Sequence, residues 1–381
     1  MMKRPRIIAD DNIPFLKGML EPYADIKYLK GSAIKNSDLI NTDALIIRTR
    51  TFCNEELLTN SSVKHISSAT IGFDHIDISY CKQNNIEWTN APGCNAASVE
   101  QYIISSLFVL TKKLNFELKG KTLGIIGIGN VGSKVAHSAR LLGMRLLLCD
   151  PPRQRRENST EFVSLKTIQE NADIITFHVP LIQEGIDKTR KLIDADFING
   201  LKKQTILINT SRGDIIDEEA FETAINRNAF KATVLDVWEN EPHINLDLMK
   251  KVTIATPHIA GYSVDGKLKG TEMSIASISK ALGLGLKKIE VQNIPPPPNP
   301  FLAIECSSKS PETILSELYL STYNVEDDSI RLKSDPENFE KHRSDYPVRR
   351  EPKAFKLKLS KHCSNELIEI TKGLGFNFTD S

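Results

Sequence analysis

The chain has 381 residues, more than the roughly 100–200 that one ordinary domain holds, so two or three domains are expected. Its 49 basic and 48 acidic residues leave a net charge of +1. No global field therefore draws it to nucleic acid or to an anionic membrane surface, neither is expected as a partner, and any anion site must be local. No apolar run approaches the roughly 18–20 residues that span a bilayer, and Met1-Met2-Lys3-Arg4-Pro5-Arg6 leads only into Ile7-Ile8-Ala9 before Asp10, an expected absence of anchor and secretory signal. Six cysteines (53, 81, 94, 149, 306 and 363) include no C-x-x-C pair. Neither a disulfide framework nor a metal site is expected, and a reducing cytoplasm fits best.

Residues 6 to 90 alternate short β-branched runs with helical patterns: Ile7-Ile8-Ala9, Ala44-Leu45-Ile46-Ile47, Val63-Lys64-His65-Ile66-Ser67 and Ile86-Glu87-Trp88-Thr89. This predicts a first α/β unit. From Ala96 to about Asn115, apolar residues at Val99, Tyr102, Ile103, Leu107, Leu110 and Leu114 predict a helix long enough to bridge two domains, capped by Asn95 or Ser98. Thr122 to Ile126 reads as a strand. Beyond a glycine-rich turn and a helix near 131–142, buried-strand candidates fall at 145–149, 173–177, 205–209, 231–236 and 252–255, separated by helical patterns as a parallel sheet requires. A helical stretch after Gly261 runs to about Leu284 and carries the chain back toward the first unit.

The run Ile294-Pro295-Pro296-Pro297-Pro298-Asn299-Pro300 lacks amide donors and locks φ, so it is expected to be an extended spacer and a boundary. Beyond it, helix-like Glu312 to Tyr319 and strand-like Ala354 to Leu359 suggest a small α+β domain with no catalytic motif, an oligomerisation or ligand-sensing appendage. Arg343, Arg349 and Arg350 in "HRSDYPVRRE" fit either an anion site or a solvated charged turn.

"LGIIGIGNVG", Leu123 to Gly132, places G-x-G-x-x-G between an apolar run and a helix. Gly127 allows the tight turn, Gly129 lets a pyrophosphate approach the backbone, and Gly132 permits close helix packing, with the amides of Asn130 and Val131 pointing at the phosphate. Asp150 stands where a carboxylate accepts hydrogen bonds from the adenosine ribose. It would repel a 2′-phosphate, so NAD is expected over NADP, although Arg153, Arg155 and Arg156 follow closely. The reading is a Rossmann-type doubly wound sheet inserted in a flavodoxin-like α/β domain.

Arg212 in "SRGDIIDEEA", Glu241 after the run ending at Asp236, and His258 in "TPHIAG" each lie just past a predicted strand, on the edge where such sheets collect ligands. Oxidising an alcohol needs a base, and His258 suits that task. Glu241 would fix its tautomer and stabilise the imidazolium, and Arg212 would grip a substrate carboxylate through planar paired donors. Each has a bland alternative: a packed histidine, a helix-start acid, and an arginine paired with Asp214 or Asp217. His178 in "TFHVP" competes as the base, but its place beside the nucleotide edge suggests a cofactor wall.

The glycine loop with Asp150, "NTSRGDIID", "LDVWENEP" and "TPHIAGY" together resemble the D-2-hydroxyacid dehydrogenase family over roughly residues 1 to 285. The resemblance implies Arg212, Glu241 and His258 as the catalytic set, with cofactor contacts also at Val179, Thr210, Asp236 and Gly261. It implies substrate contacts at Thr49, Thr70 and Tyr262. It further implies a substrate (lid) domain of residues 1–95 with 262–290, an NAD-binding domain of residues 96–261 and a C-terminal dimerisation domain of residues 291–381. "ADDNIPF", "SSATIGFDHID", "APGCNA", "CDPPR" and the proline-led extension narrow the resemblance to cytoplasmic homodimers that oxidise a phosphorylated 2-hydroxy acid for pyridoxal phosphate synthesis. Such a substrate needs a second cation besides Arg212, and Arg48 and Arg50 in "IIRTRT" stand at a strand end where they could supply it. A 3-phosphoglycerate dehydrogenase is the rival enzyme. A dinucleotide-sensing module is the rival outside the enzymes, since family members also serve as corepressors.

Overall fold

Runs that are apolar at nearly every position, rather than at alternate ones, make strands covered on both faces. The computed structural model describes residues 4–286, 289, 291, 293–306, 309–359 and 363–379, and its named strands form three sheets paired in parallel throughout. Residues 1–3 of the basic start and residue 290, the expected end of the substrate domain, lie outside the described residues. Contacts divide the chain into two compact units, Met1–Asn95 with Ser263–Pro295, and Ala96–Tyr262 with Pro296–Ser381.

In the first unit, strands β1 (Arg6–Asp10), β2 (Asp25–Leu29), β3 (Ala44–Ile47), β4 (His65–Ser68) and β5 (Glu87–Thr89) pair in the order β2-β1-β3-β4-β5, the flavodoxin-like order. The second strand has no counterpart among the runs read from sequence. It is an edge strand without a fully buried residue, so it lacks the apolar run that marks the others. The helix Val264–Ala281 starts on Ser263, whose Oγ accepts from the Gly266 amide, and buries Ile275 and Ile278 with Ile7, Ala9, Ala44 and Ile46. Its Ser277 hydroxyl bonds His65 Nε2 at 2.8 Å and Thr89 Oγ1 at 2.7 Å.

In the second unit, β6 (Thr122–Ile126), β7 (Arg145–Cys149), β8 (Ile174–Phe177), β9 (Thr205–Asn209), β10 (Phe230–Leu235) and β11 (Ile254–Ala255) pair in the order β11-β10-β9-β8-β6-β7. A single parallel bridge, Leu148 to Phe162, extends the sheet beyond β7. Counting that bridge as a strand gives the order of a doubly wound nucleotide-binding sheet, with its switch point between β6 and β8. The helix Ala96–Leu114 buries Tyr102, Ile103, Leu107, Phe108 and Leu110. Described residues of the C-terminal segment share this core: Tyr319 meets Phe108 at 5.8 Å between ring centres, and Ser105 Oγ donates to the Tyr323 carbonyl and accepts from the Val325 amide.

The third sheet, β12 (Phe301–Ile304), β13 (Lys356–Leu359) and β14 (Asn377–Phe378), belongs to this C-terminal segment. Cys306 and Cys363 form a disulfide, with Cα atoms 5.1 Å apart across 57 residues of sequence. This corrects the expectation that no cysteines pair. The cause is topological: Ile304 and Leu359 are register partners, so residues just past the two strand ends come together, which cysteine spacing does not encode. Among the described residues no helix is long and apolar enough to cross a membrane.

Gly270 tests how closely the first unit is packed. A Cβ there would stand 2.5 Å from the Ala69 carbonyl oxygen and 3.5 Å from Cys94 Sγ. Alanine gains about 1 kcal/mol of helix propensity, whereas overpacking against fixed backbone costs about 1–3 kcal/mol. Gly270→Ala is therefore expected to melt below the wild type in a thermal scan, and an unchanged or higher midpoint would show that helix and loop separate easily.

Candidate active site

The sequence places glycines where the backbone has no room for a side chain. Gly127, just past β6, has φ of +90°, and a Cβ on it would run into the His178 carbonyl and lie 2.9 Å from Val179 Cγ1. A Cβ on Gly132 would collide with the Gly127 carbonyl. Gly129 meets nothing within 4 Å and leads into the helix Asn130–Leu141, whose exposed start has no side-chain cap. Free amides at a helix start favour an anion. Asp150, just past β7, accepts from the Ile128 amide at 2.8 Å and the Arg153 amide at 3.0 Å, tying the loop to the next helix.

Arg153 donates to both oxygens of Glu157 at 2.9 Å and to the Ile128 carbonyl at 2.6 Å. Arg155 pairs with Asp187 and Arg156 with Glu157. All three guanidiniums thus have carboxylate partners. At the end of β9, the Thr210 hydroxyl is buried with no hydrogen-bond partner, an unsatisfied group of the kind a bound ligand would complete. His178 Nε2 bonds Thr176 Oγ1 at 3.1 Å, and burial pushes the imidazole down to about 3. A base so weak has little pull on an alcohol proton.

Three neighbouring strands supply the charged residues. Leu235 of β10 is register partner to Asn209 of β9 and to Ala255 of β11, so Arg212, Glu241 and His258 leave one edge of the sheet within six residues of their strand ends. Asn209 shapes the first turn: its amide donates to the Arg212 carbonyl at 2.9 Å and its oxygen accepts from the Ser211 amide and hydroxyl. The Arg212 guanidinium donates to the Ser211 carbonyl at 2.8 Å, while Asp217, an expected partner, is occupied by Lys191 at 3.1 Å and by a helix start. Gly213 is obligatory, because a Cβ would overlap the Trp238 carbonyl and sit 2.5 Å from the Glu239 amide nitrogen. That contact locks the first loop to the second. The second is locked to the third by the Trp238 indole, which donates to the Thr256 carbonyl at 2.9 Å.

Glu241 Oε2 and His258 Nδ1 are 2.7 Å apart, and Glu241 Oε1 accepts from the Trp238 amide at 3.0 Å. Burial pushes the Glu241 carboxyl up, but the His258 imidazole, the Trp238 amide and the Arg343 guanidinium together hold it below the usual carboxylate range. An ionised Glu241 can only accept, so His258 carries its proton on Nδ1 and offers the lone pair of Nε2. His258 itself is half-buried, with φ of +56°. Asp236 is 1% exposed. It accepts from Thr256 Oγ1 at 2.6 Å, the Ile259 amide at 2.8 Å and the Ala260 amide at 2.9 Å, so its carboxylate is spent on the loop that carries His258 and reaches Gly261.

The C-terminal segment enters this neighbourhood. Arg343 lies over the Tyr262 ring, 5.7 Å from its centre, and Tyr346 meets the same ring edge-on at 5.8 Å. Arg349 is only 4% exposed and donates to main-chain carbonyls. The solvated-turn reading is therefore wrong for Arg349, whose burial no local pattern announces. In the first unit, Ile47 and Ser68 are register partners, so Arg48-Thr49 and Ala69-Thr70 leave that sheet side by side. Arg48 donates to the Asn12 carbonyl at 3.2 Å, Thr49 is exposed, and Thr70 Oγ1 bonds Ser68 Oγ at 2.8 Å.

Comparison with known proteins shows what the chain is similar to. Residues 99–260 match the NAD-binding domain of the D-isomer-specific 2-hydroxyacid dehydrogenases, and residues 294–371 match a domain of unknown function. The chain is 50% identical over 353 residues to an erythronate-4-phosphate dehydrogenase of Bacteroides thetaiotaomicron, covering 92% of this chain and 99% of the relative. It is 38% identical to one of Porphyromonas gingivalis, covering 97% and 99%. Among solved structures it is similar to a 3-phosphoglycerate dehydrogenase of Entamoeba histolytica with bound NAD+ (26% identity, TM-score 0.64, 77% of this chain and 100% of that one). It is also similar to the D-lactate dehydrogenase of Aquifex aeolicus complexed with NAD and lactic acid (28%, TM-score 0.60, 74% and 97%).

The Glu241 carboxyl gives a pH signature. Its folded value lies below its unfolded one, so its stabilisation is complete above the ordinary carboxylate value of about 4.3 and is lost as pH falls through the lowered folded value. Glu241→Gln is expected to melt below the wild type at neutral pH, with the gap closing in acid. A gap that stays constant down to about pH 3 would mean that the ionised carboxylate contributes nothing to the fold.

Proposed function

The chain belongs to the D-isomer-specific 2-hydroxyacid dehydrogenase family, and from that premise we propose that it carries out the reaction of its curated relatives: NAD-dependent oxidation of 4-phospho-D-erythronate to 3-hydroxy-2-oxo-4-phosphooxybutanoate, a step toward pyridoxal phosphate. One observation carries this reading. The likeness to erythronate-4-phosphate dehydrogenases extends over 92–98% of this chain, C-terminal segment included, whereas the lactate and phosphoglycerate enzymes cover 74% and 77% of it. A homodimer is the assembly we propose on the family resemblance.

The glycine loop, the uncapped helix start and Asp150 fit a dinucleotide, and the unpartnered Thr210 hydroxyl fits a polar group of the same ligand. Gly127, Gly129, Asn130, Val131, Gly132 and Asp150 would hold the pyrophosphate and ribose; Val179, Thr210 and Gly261 would line the far end, with Asp236 acting through the loop it anchors. Bound there, NAD would supply a nicotinamide as acceptor for the hydride that leaves the alcohol carbon. His258 takes the hydroxyl proton on Nε2, and Glu241 stabilises the imidazolium that results. Arg212 holds the carboxylate and the oxygen on the reacting carbon, where a guanidinium's paired donors match the shape and a lysine's would not. Thr49, Thr70, Tyr262 and Arg48 are our assignment for the remaining substrate contacts.

NAD reduction measured with 4-phospho-D-erythronate and with 3-phosphoglycerate tests the substrate. The first is expected to have the higher kcat/KM; the reverse order would reassign the chain to the second, and tight NADH binding without turnover of any 2-hydroxy acid would make it a sensing module. His258→Asn is expected to lower kcat by about 10²–10⁴-fold with NAD affinity near normal. Wild-type turnover from that variant would remove His258 as the base.

A further inference from the structure

His258 adopts a left-handed backbone conformation, φ +56°, which a residue other than glycine keeps only where its surroundings over-determine it. The next two residues show what does so. The amides of Ile259 and Ala260 donate to the two oxygens of Asp236, at 2.8 and 2.9 Å. Their carbonyls accept from Arg349, at 3.2 Å from Nη1 and 2.5 Å from Nη2. A buried anion thus grips the donor side of this dipeptide and a buried cation the acceptor side, so the peptide dipoles bridge the two charges.

Arg349 is itself fixed from several directions. Its Nη2 donates to the Ser98 carbonyl at 2.9 Å, and its guanidinium stacks on the Tyr323 ring 4.3 Å from the centre. The flanking residues are pinned to the helix Ala96–Leu114: Ser98 Oγ donates to Glu351 at 3.0 Å, and Gln101 Nε2 donates to the Arg350 carbonyl at 3.0 Å. The cation therefore belongs to the segment following the proline run and cannot drift from the loop it holds.

We infer that Arg349 is a positioning residue for the reaction: with Asp236 it clamps the dipeptide after His258 and so fixes the angle at which the imidazole meets Glu241 and the substrate. The inference rests on the reading of His258 as the base. It gives the C-terminal segment a part in turnover separate from any part in assembly. A lysine keeps the buried charge but cannot span three carbonyls in one plane, and a methionine keeps only the volume.

The test is a double-mutant cycle on the full-length chain, with kcat, KM and NAD affinity measured for Arg349→Met, Arg349→Lys, His258→Asn and His258→Asn/Arg349→Met, and each fold checked by circular dichroism. Misplacing a catalytic group by about 1 Å costs on the order of a hundredfold. Arg349→Met is expected to lose about ten- to a hundredfold in kcat with NAD affinity within about twofold. Arg349→Lys should fall between it and the wild type. In the His258→Asn background the Arg349 change should cost nothing further, because no base remains to be misplaced. A folded Arg349→Met with wild-type kcat, or one whose loss recurs undiminished in the His258→Asn background, overturns the inference. If Arg349→Met does not fold, Arg349→Lys decides, and wild-type kcat from it overturns the inference. Wild-type turnover from His258→Asn alone instead overturns the assignment of the base.

Discussion

The contact on which the site depends is the 2.7 Å hydrogen bond between Glu241 and His258. Desolvating a carboxylate costs several kcal/mol unless partners offset it, and here the partners are an imidazole, a main-chain amide and a nearby guanidinium. Because they keep the carboxylate ionised, it has no proton to give, and the histidine tautomer follows. The same bond would stabilise the imidazolium formed when the ring takes a proton. A neutral acid in that place would do neither.

Holding that bond requires three loops to keep their shape, and the sheet beneath them provides the footing. Parallel strands in register deliver successive loops to one edge, and the loops are then fastened to each other. Gly213 lets the arginine turn touch the Trp238 backbone, and the Trp238 indole ties that second loop to Thr256. Thr256 is held in turn by Tyr102 of the long helix and by Asp236. Glycine is needed here for close approach, as it is where Gly127 meets His178 across the switch point.

Much of this was legible in the sequence, for reasons that can be stated residue by residue. A strand followed by G-x-G-x-x-G and a helix has one main physical use, and Asp150 stands where that use requires it. Arg212, Glu241 and His258 were visible because each follows an apolar run closely, and in a parallel sheet sequence position past a strand is spatial position on an edge. β2 was missed because an edge strand with Asp25 and Lys27 has no apolar run to betray it. The cysteine pairing was missed because it depends on the register of β12 and β13 across more than fifty residues. Arg349 was hardest to read, since its neighbourhood in the chain is charged and its partners are carbonyls, which no side-chain pattern reveals.

Asp236 shows how one buried group can serve two ends. Its position after β10 suits a residue near the cofactor, yet its oxygens are committed to Thr256, Ile259 and Ala260. Burial pushes its carboxyl up, opposed by the His258 ring and by those same donors. A group so placed acts on a ligand chiefly through the loop it shapes, and that loop runs from His258 to Gly261 and Tyr262. Arg349 completes the arrangement from the other side of the same peptide groups. Without an opposing cation, Asp236 would be an anion in an apolar setting whose hydrogen bonds pull the loop one way only. With it, the two charges hold the peptide units in tension, and a backbone conformation that costs on the order of 1–3 kcal/mol elsewhere becomes the one in which the amides and carbonyls of Ile259 and Ala260 all have partners.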